Sequence, residues 1–250
     1  MTSVQWDGTS VLVTGAASGI GAAVVAMLLS RGIRVTGVDR QAATISDPGY
    51  SHLLCDLADA QALSALGSDL QAQPHVAFVH AAGIVRDDAH ELSQPQPGAA
   101  LWQIHVAAAI QIARALLSAM PDRRGRIVFL SSRASQGRAG RGFYAASKAG
   151  AEAAMRSLAL ELLPRGITVN AVAPGPTLTP QLIDPARAGA AVAAPPIGRA
   201  NTAEEVAASV AFLLSPEAGT ITGQTLFQCG GLSLAGPSPA AQAPFFSPIP

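Results

Sequence analysis

The chain has 250 residues, of which 49% are hydrophobic and 13% charged, and its 16 basic and 16 acidic residues give zero net charge. This composition excludes an intrinsically disordered chain, and the charge balance argues against nucleic acid or an anionic membrane surface as a partner. No stretch reaches the roughly 18 uninterrupted apolar residues of a membrane span, and the N-terminus lacks a signal-peptide pattern. Cys55 and Cys229 lie far apart without a metal-binding pattern, so we expect no disulfide scaffold and no metal site. We expect a cytoplasmic globular protein.

Strand and helix patterns alternate along the chain. We predict strands over residues 9–14, 33–38, 52–55, 76–80, 125–130, 167–172 and 225–227, and helices over 20–31, 58–70, 98–120, 144–163 and 202–214. The alternation predicts an α/β fold, a Rossmann-type doubly wound parallel sheet of about seven strands in a single domain. An eight-stranded barrel is the rival architecture, but the glycines after the first strand favour an open sheet.

Two regions lie outside this alternation. Residues 177–201 are rich in proline, alanine and glycine, and we interpret them as a substrate lid. We assign residues 1–236 to one cofactor-binding and catalytic domain, and residues 237–250 to a proline-rich tail.

The turn after the first strand carries glycines that suit a nucleotide. Gly15, Gly19 and Gly21 follow the spacing G-x-x-x-G-x-G, not the G-x-G-x-x-G of the commoner dinucleotide fingerprint. Together with Ser18 and Ile20 they stand where a helix begins, and the free amides of a helix N-terminus favour a diphosphate. Glycines that only punctuate a turn are the alternative interpretation.

Asp39 ends the second predicted strand, eighteen residues after Gly21. This is close to the offset of ~20 residues at which an acidic side chain binds a ribose diol. Such a carboxylate accepts hydrogen bonds from the two ribose hydroxyls and repels a 2′-phosphate, so the sequence predicts NAD as the cofactor. The neighbouring Arg40 could instead favour NADP, and a solvated turn is the alternative for Asp39.

Tyr144 and Lys148 are four residues apart at the start of a predicted helix and therefore share one face. Lys148 is the only lysine among the 16 basic residues, and Tyr144 is one of two tyrosines. A nearby ammonium favours the phenolate and lowers the tyrosine pKa from about 10, as acid–base catalysis near neutral pH requires. Ser131 and Ser132 end the fifth predicted strand, where a hydroxyl can polarise a substrate carbonyl.

These motifs resemble those of the short-chain dehydrogenase/reductase family. TGAASGIG, HAAG, the SS…YAASK stretch, VNAVAPGPTLT and ITGQ…GG follow one another in the family's order over about residues 8–235. The resemblance implies a nicotinamide cofactor, reversible alcohol–carbonyl oxidoreduction and a homotetramer. In it, Tyr144 resembles the acid/base, and Lys148 the partner that also binds the nicotinamide ribose. Further cofactor contacts implied by the resemblance are Asp56, Leu57, Ala81, Ala82, Gly83, Pro174, Gly175, Thr177 and Thr179.

Four positions depart from the family's pattern. Counting back thirteen residues from Tyr144 gives Ser131 as the catalytic serine, whereas aligning the strand gives Ser132, which we prefer because strands resist register slips better than loops. His105 stands where the family has a catalytic asparagine, either as a buried structural residue or within a proton relay. His80 replaces the first asparagine of the usual NNAG. Residues 41–50 leave little room for the usual helix between the second and third strands.

The sequence therefore predicts an NAD-dependent enzyme that interconverts a small secondary alcohol and its ketone. The short second crossover also resembles dihydrodiol dehydrogenases that form catechols, which is the alternative within the class. A non-catalytic NAD-binding regulator is the alternative from another class, and the presence of Ser132, Tyr144 and Lys148 argues against it.

Two features leave further alternatives open. The loop that enters the predicted site carries Arg133, Arg138 and Arg141. These arginines either form a solvated turn or attract a carboxylated or phosphorylated substrate. The tail contains two adjacent phenylalanines, and the resemblance implies that C-terminal segments lie near subunit interfaces. We hypothesise that residues 233–250 cross onto a neighbouring subunit, with a tail folded on its own subunit as the alternative.

Overall fold

Alternating strands and helices in the sequence fold into one parallel sheet with helices on both faces. The computed structural model describes residues 10–71, 74–88, 97–183 and 194–234. The strands are β1 (Ser10–Thr14), β2 (Arg34–Asp39), β3 (Tyr50–Leu54), β4 (His75–His80), β5 (Arg126–Leu130), β6 (Thr168–Pro174), β7 (Thr177–Leu178), β8 (Asn201–Thr202) and β9 (Thr225–Gln228). The main sheet has seven strands in the order β3-β2-β1-β4-β5-β6-β9, and β7 pairs with β8 separately.

The helices cover the sheet in two layers. They are α1 (Gly19–Ser30), α2 (Ala60–Gln71), α3 (Gly98–Trp102), α4 (Ala108–Leu116), α5 (Gly142–Leu162), α6 (Pro180–Ile183) and α7 (Ala203–Leu214). Successive strand residues point to opposite faces, so Val11 and Val13 pack with α1 and α7 while Leu12 packs with α2, α4 and α5. Burial on both faces explains why the strands read as continuous apolar runs.

The predicted fold is confirmed: it is a single-domain α/β structure with a seven-stranded parallel sheet. The strand order reverses direction between β1 and β4, and open sheets of this kind bind ligands in the crevice at that reversal, outside the carboxyl ends of the strands. The eight-stranded barrel is therefore wrong. Residues 41–49 between β2 and β3 form no helix, as their short length predicts.

Several predicted boundaries shift because side chains cap the elements. The α5 helix begins at Gly142, two residues early, because the Asp88 carboxylate accepts hydrogen bonds from the Gly142 and Phe143 amides. The α2 helix begins at Ala60, two residues late, because Asp59 accepts from the amides of its first turn.

The predicted helix over 98–120 is interrupted by a π-helical turn, Gln103–Ala107, between α3 and α4. It ends at Leu116 because the following residues form a turn whose Leu117 and Met120 carbonyls accept hydrogen bonds from Arg165. Among the described residues, Gly98–Leu116 is the one helical stretch that is long and apolar enough to cross a membrane, although half of it is buried inside the fold. That apolar character has a structural use here, because Leu101, Ile112 and other side chains of the stretch pack in the core.

The proposed lid and tail are only partly described. Residues 177–183 form β7 and α6, residues 194–202 end in β8, and residues 184–193 lie outside the described residues. The tail over 237–250 also lies outside them.

Candidate active site

The sequence-predicted site residues gather at the carboxyl edge of the sheet. The glycine turn follows β1, Asp39 ends β2, and Gly83 lies three residues after β4. Ser131 and Ser132 follow β5, and Gly175 follows β6. Parallel strands bring all these positions to one edge, which is why residues far apart in sequence meet there.

Glycine is required at two positions of the turn after β1. Gly15 has a φ of +69°, and a Cβ there would lie 2.7 Å from the Ala82 amide nitrogen. A Cβ on Gly21 would lie within overlap distance of the Gly15 carbonyl. The glycines therefore let the turn, which we call the glycine cradle, pack against the segment after β4 and leave Gly19 and Gly21, at the start of α1, without side chains.

That cradle fits a dinucleotide. Ser18 precedes α1 in an extended conformation, and its exposed side chain makes no capping bond to the helix. The amides of the first helical turn, at Gly19, Ile20 and Gly21, have no partner within an α-helix and favour an anion. Thr179 lies over this turn, since a Cβ on Gly19 would be 3.4 Å from its Cγ2. The amides suit a diphosphate.

Asp39 lies beside the same turn. Its Oδ2 accepts a hydrogen bond from the Ala17 amide at 3.0 Å, and its Oδ1 accepts one from the Gln41 amide at 2.9 Å. Each carboxylate oxygen keeps a second lone pair, so ribose hydroxyls can still donate to it. Arg40 is exposed. The carboxylate thus places a negative charge next to the turn.

The two serines after β5 differ in what their hydroxyls bind. The buried Ser131 donates a hydrogen bond to Oε1 of Glu152 at 2.6 Å, so its proton is used inside the protein. The half-buried Ser132 accepts a bond from the Ala134 amide at 3.1 Å, which leaves its hydroxyl proton for another acceptor. Of the two, Ser132 has the hydroxyl that can donate to a substrate oxygen.

Tyr144 and Lys148 lie on α5 as their spacing predicts. The half-buried Tyr144 ring meets the His105 ring edge to face, with centroids 5.7 Å apart. The buried Lys148 Nζ donates a hydrogen bond to the Leu130 carbonyl at 2.8 Å. Burial lowers the pKa of Lys148 to about 8, while the negative charge of Glu152 acts in the opposite direction. An ammonium close to deprotonation therefore stands one helical turn from the tyrosine.

His105 is held by both ring nitrogens. Its Nε2 accepts a hydrogen bond from the Ile84 amide at 3.1 Å, and its Nδ1 lies 2.9 Å from the Ser147 hydroxyl. Since Nε2 accepts, Nδ1 carries the proton and donates it to Ser147, which in turn donates to the Tyr144 carbonyl at 2.8 Å. Burial, and next the charge of Lys148, hold the pKa of His105 far below its usual range. His105 is therefore a neutral connector.

His80 is buried as fully as His105. Its Nε2 donates to the Ile104 carbonyl at 3.0 Å, and its Nδ1 lies 3.0 Å from the Thr14 hydroxyl. Burial lowers the pKa of His80 to about 3, and the Lys148 charge adds to the effect. The ring ties the end of β4 to the π-helical turn that carries His105.

Sequence reasoning missed the acidic residues that fix the start of α5. The Asp88 carboxylate caps α5, and the Asp88 amide donates to the Gly140 carbonyl at 3.0 Å. Asp87 accepts a hydrogen bond from Arg141. The adjacent pair of aspartates after the HAAG motif was the available signal, but only the fold shows that this segment faces the start of α5.

The remaining predicted cofactor contacts lie around the same crevice. Asp56 is exposed and its Oδ1 accepts from the Ala58 amide, whereas the Leu57 side chain is buried in the core. Gly175 passes close to the last strand, since a Cβ there would lie 2.9 Å from Cys229 Cα. The other implied contacts at this edge are the half-buried Ala81 and Ala82, and Pro174, Thr177 and Thr179 on the β6–α6 segment.

The geometry can be compared with known proteins. A family model described as Enoyl-(Acyl carrier protein) reductase matches residues 15–233. The 3-oxoacyl-[acyl-carrier-protein] reductase FabG of Salmonella typhimurium is 36% identical over 242 residues, covering 92% of this chain and 99% of that protein. A short-chain dehydrogenase family protein from Francisella tularensis has a similar fold, with a TM-score of 0.83, 24% identity and coverage of 91% and 99%. The structure of BdcA in complex with NADPH aligns with a TM-score of 0.79 and 29% identity, covering 89% of this chain and 93% of BdcA.

Proposed function

Since this chain belongs to the short-chain dehydrogenase/reductase family, we propose that it is an NAD-dependent oxidoreductase that interconverts a small secondary alcohol and its ketone. One observation carries the proposal: Tyr144, Lys148 and the Ser132 hydroxyl occupy the sheet edge that also holds the glycine cradle. A proton donor and a dinucleotide site at one edge are what carbonyl reduction needs.

The residues divide the proton chemistry between them. A bound nicotinamide supplies or accepts the hydride at the substrate carbon. In reduction, Ser132 donates a hydrogen bond to the carbonyl oxygen, and Tyr144 gives that oxygen its proton. The Lys148 ammonium stabilises the tyrosinate that remains, and in oxidation this tyrosinate takes the proton of the substrate hydroxyl.

The preference for NAD rests on Asp39. Its carboxylate would accept hydrogen bonds from the adenosine ribose hydroxyls and repel a phosphate in the same place. BdcA was solved with NADPH. The Asp39 carboxylate in this chain supports a preference for NAD instead.

The proposal is tested by turnover on a panel of secondary alcohols, ketones, 3-oxoacyl thioesters and dihydrodiols with each cofactor. Tyr144→Phe should lower kcat by at least about 10²-fold while NADH still binds, because only the acid/base is removed. Tyr50→Phe, at the only other tyrosine, is the control and should retain kcat. Wild-type turnover in Tyr144→Phe contradicts the mechanism, and NADH binding without turnover on any substrate supports the non-catalytic regulator instead.

A separate comparison of NAD with NADP tests the cofactor preference. The unmutated protein should show a higher kcat/KM with NAD than with NADP, and Asp39→Ala should narrow the difference. Asp47→Ala removes an exposed carboxylate from the same crossover and should leave the ratio unchanged. Equal kcat/KM values for the two cofactors in the unmutated protein would show that Asp39 does not discriminate between NAD and NADP.

A further inference from the structure

Two backbone amides hold the carboxylate of Asp39, one on each oxygen. Ala17 donates to Oδ2 at 3.0 Å, and Gln41 donates to Oδ1 at 2.9 Å. Ala17 is buried in the glycine cradle between β1 and α1. Gln41 is exposed and begins the segment 41–49, which forms neither a helix nor a strand. A segment of this kind needs other contacts to keep the Gln41 amide in place.

The carbonyl of Gln41 has such a contact, which comes from His52 on β3. The Nε2 of His52 lies 2.9 Å from that carbonyl oxygen. A carbonyl can only accept, so Nε2 carries a proton and donates it. Gln41 is therefore fixed through both of its backbone groups, since its carbonyl is bound to His52 and its amide to Asp39.

Tyr50 fixes the orientation of the His52 ring. Its hydroxyl lies 2.8 Å from Nδ1 of His52, in a place that exists only because Gly37 has no Cβ. Burial, and next the charge of Asp39, raise the pKa of Tyr50, so the hydroxyl keeps its proton and donates it to Nδ1. Hydrogen bonds thus run in one direction from Tyr50 through His52 to the Gln41 carbonyl.

We propose that His52 is a positioning residue for cofactor selection, which holds Gln41 and thereby keeps the Asp39 carboxylate in the orientation that accepts both hydroxyls of the adenosine ribose. The inference rests on the proposed function, because it concerns how Asp39 selects NAD. Without the bond from His52, the Gln41 amide is no longer fixed, and the carboxylate is held by Ala17 alone. It then turns about the bond to its Cβ, so it accepts the ribose diol less well and its charge is no longer fixed beside the 2′ position.

A purely structural role for His52 makes a different prediction. If the ring only packs β3 against the segment 41–49, its replacement lowers the stability of the fold and weakens the binding of NAD and NADP equally. Positioning of Asp39 instead weakens NAD more than NADP, so the ratio of the two affinities narrows. The effect appears in KM and Kd, whereas kcat at saturating cofactor is retained.

The test uses His52→Phe, which keeps an aromatic ring on β3 and removes both nitrogens, and His52→Leu, which repeats the change without a ring. Calorimetry gives the Kd of ADP-ribose and of 2′-phospho-ADP-ribose, which carry the adenosine ribose without a nicotinamide, so this readout needs no turnover. In both variants the Kd of ADP-ribose and the KM of NAD should rise about fivefold or more, with a smaller change for the 2′-phosphorylated compounds. His52→Gln keeps a donor and should restore part of the ratio.

A double-mutant cycle tests the route through Asp39. In the Asp39→Ala background, His52→Phe should leave the ratio of the two Kd values within about twofold, because the carboxylate that it positions is absent. Ser51→Ala is the matched control: Ser51 is the neighbour of His52 on β3, and its hydroxyl donates to Thr36 Oγ1 at 3.1 Å on the opposite face of the sheet. It should change neither Kd.

The outcomes separate the inference from the proposed function. The inference is wrong if His52→Phe and His52→Leu leave the Kd ratio unchanged, if they weaken both compounds equally, or if they act as strongly in the Asp39→Ala background. It is also wrong if His52→Gln loses selectivity as fully as His52→Phe. A ratio that narrows in Asp39→Ala but not in the His52 variants leaves the proposed NAD preference intact, whereas loss of turnover on the whole ketone panel overturns the proposed oxidoreductase.

Discussion

At the scale of single residues, Lys148 is a buried ammonium whose pKa is set by the groups around it. Burial lowers the pKa of Lys148, and the neighbouring His80 and His105 are neutral, so neither histidine adds a repelling positive charge. Glu152, one helical turn further along α5 and only 8% exposed, is the carboxylate whose charge raises the Lys148 pKa. The same carboxylate accepts the Ser131 hydroxyl, so it also fixes the residue before Ser132.

We predict that Glu152→Gln lowers the pKa of Lys148 below its value of about 8. The ammonium form would then be lost at a lower pH, so the falling limb of kcat/KM for ketone reduction should move toward neutral pH. The measurement is a kcat/KM profile between pH 6 and pH 10. Circular dichroism should confirm that the variant keeps its fold.

Glu161→Gln provides the control for Glu152→Gln, since it makes the same change on α5 at an exposed position. Its pH profile should coincide with that of the unmutated protein. A Glu152→Gln profile that also coincides would mean that Glu152 only packs against Ser131.

At the scale of elements, the π-helical turn Gln103–Ala107 links the helices to the site. Turns of this kind inside α-helices are frequent at functional sites. The carbonyl of Ile104 is held by His80, and His105 connects Ile84 with Ser147 on α5. The turn therefore joins the segment after β4 to α5 through neutral imidazoles.

We predict that His105→Ala lowers kcat by about tenfold or more, because the Ile84 amide and Ser147 lose their partner and α5 is positioned less well. Both ring nitrogens are already used and the pKa of His105 is far below its usual range, so it does not titrate during turnover. The pH limbs of kcat should consequently keep their positions. A limb that moves in His105→Ala would support the proton-relay interpretation.

The sequence predicts the secondary-structure elements, and which residues come together at the site, better than it predicts the hydrogen bonds within the site. Motif order places Gly15, Asp39 and Tyr144 correctly relative to the sheet, since each follows or begins a predicted element. What distinguishes Ser131 from Ser132 is the hydrogen bond of Ser131 to Glu152, 21 residues away on another element. Such contacts arise from packing across elements, and a single sequence carries no local pattern for them.

At the scale of the whole molecule, the homotetramer and the role of the tail remain predictions. The described surface exposes large apolar side chains, among them Trp102 on α3 and Leu160 on α5, at 53% and 70%. Contact with a neighbouring subunit would cover apolar surface of this kind. Residues 237–250 lie outside the described residues, so their place in an assembly rests on the resemblance alone.

We predict that deleting residues 237–250 weakens the assembly or raises KM for substrate. Burial of one phenylalanine ring contributes roughly 2–3 kcal/mol, so replacing both Phe245 and Phe246 by alanine should have a similar effect in the full chain. Light scattering gives the mass, and steady-state kinetics give KM. Unchanged mass and unchanged kinetics in the truncated protein would eliminate a tail that crosses between subunits.

The buried histidines make the stability of the whole fold depend on pH. Burial lowers the pKa of His75 to about 4 and that of His80 to about 3. The unfolded chain takes up a proton on each ring below about pH 6.5, whereas the folded chain does so only near those lower values. The stabilising contribution is therefore fully present above pH 6.5 and is lost as the pH falls toward 4, at about 1.4 kcal/mol per pH unit for each histidine.

Urea denaturation at pH 7, 6 and 5 measures this dependence. We expect the free energy of unfolding to fall with acidity and the decline to be shallower in His80→Asn, because asparagine does not titrate and still offers a donor and an acceptor to Ile104 and Thr14. His52→Asn is the control, since His52 is less buried than His80. A parallel loss of stability in His80→Asn and the unmutated protein would contradict a role for His80, because the acid sensitivity would then come from carboxylates whose partners are lost on protonation.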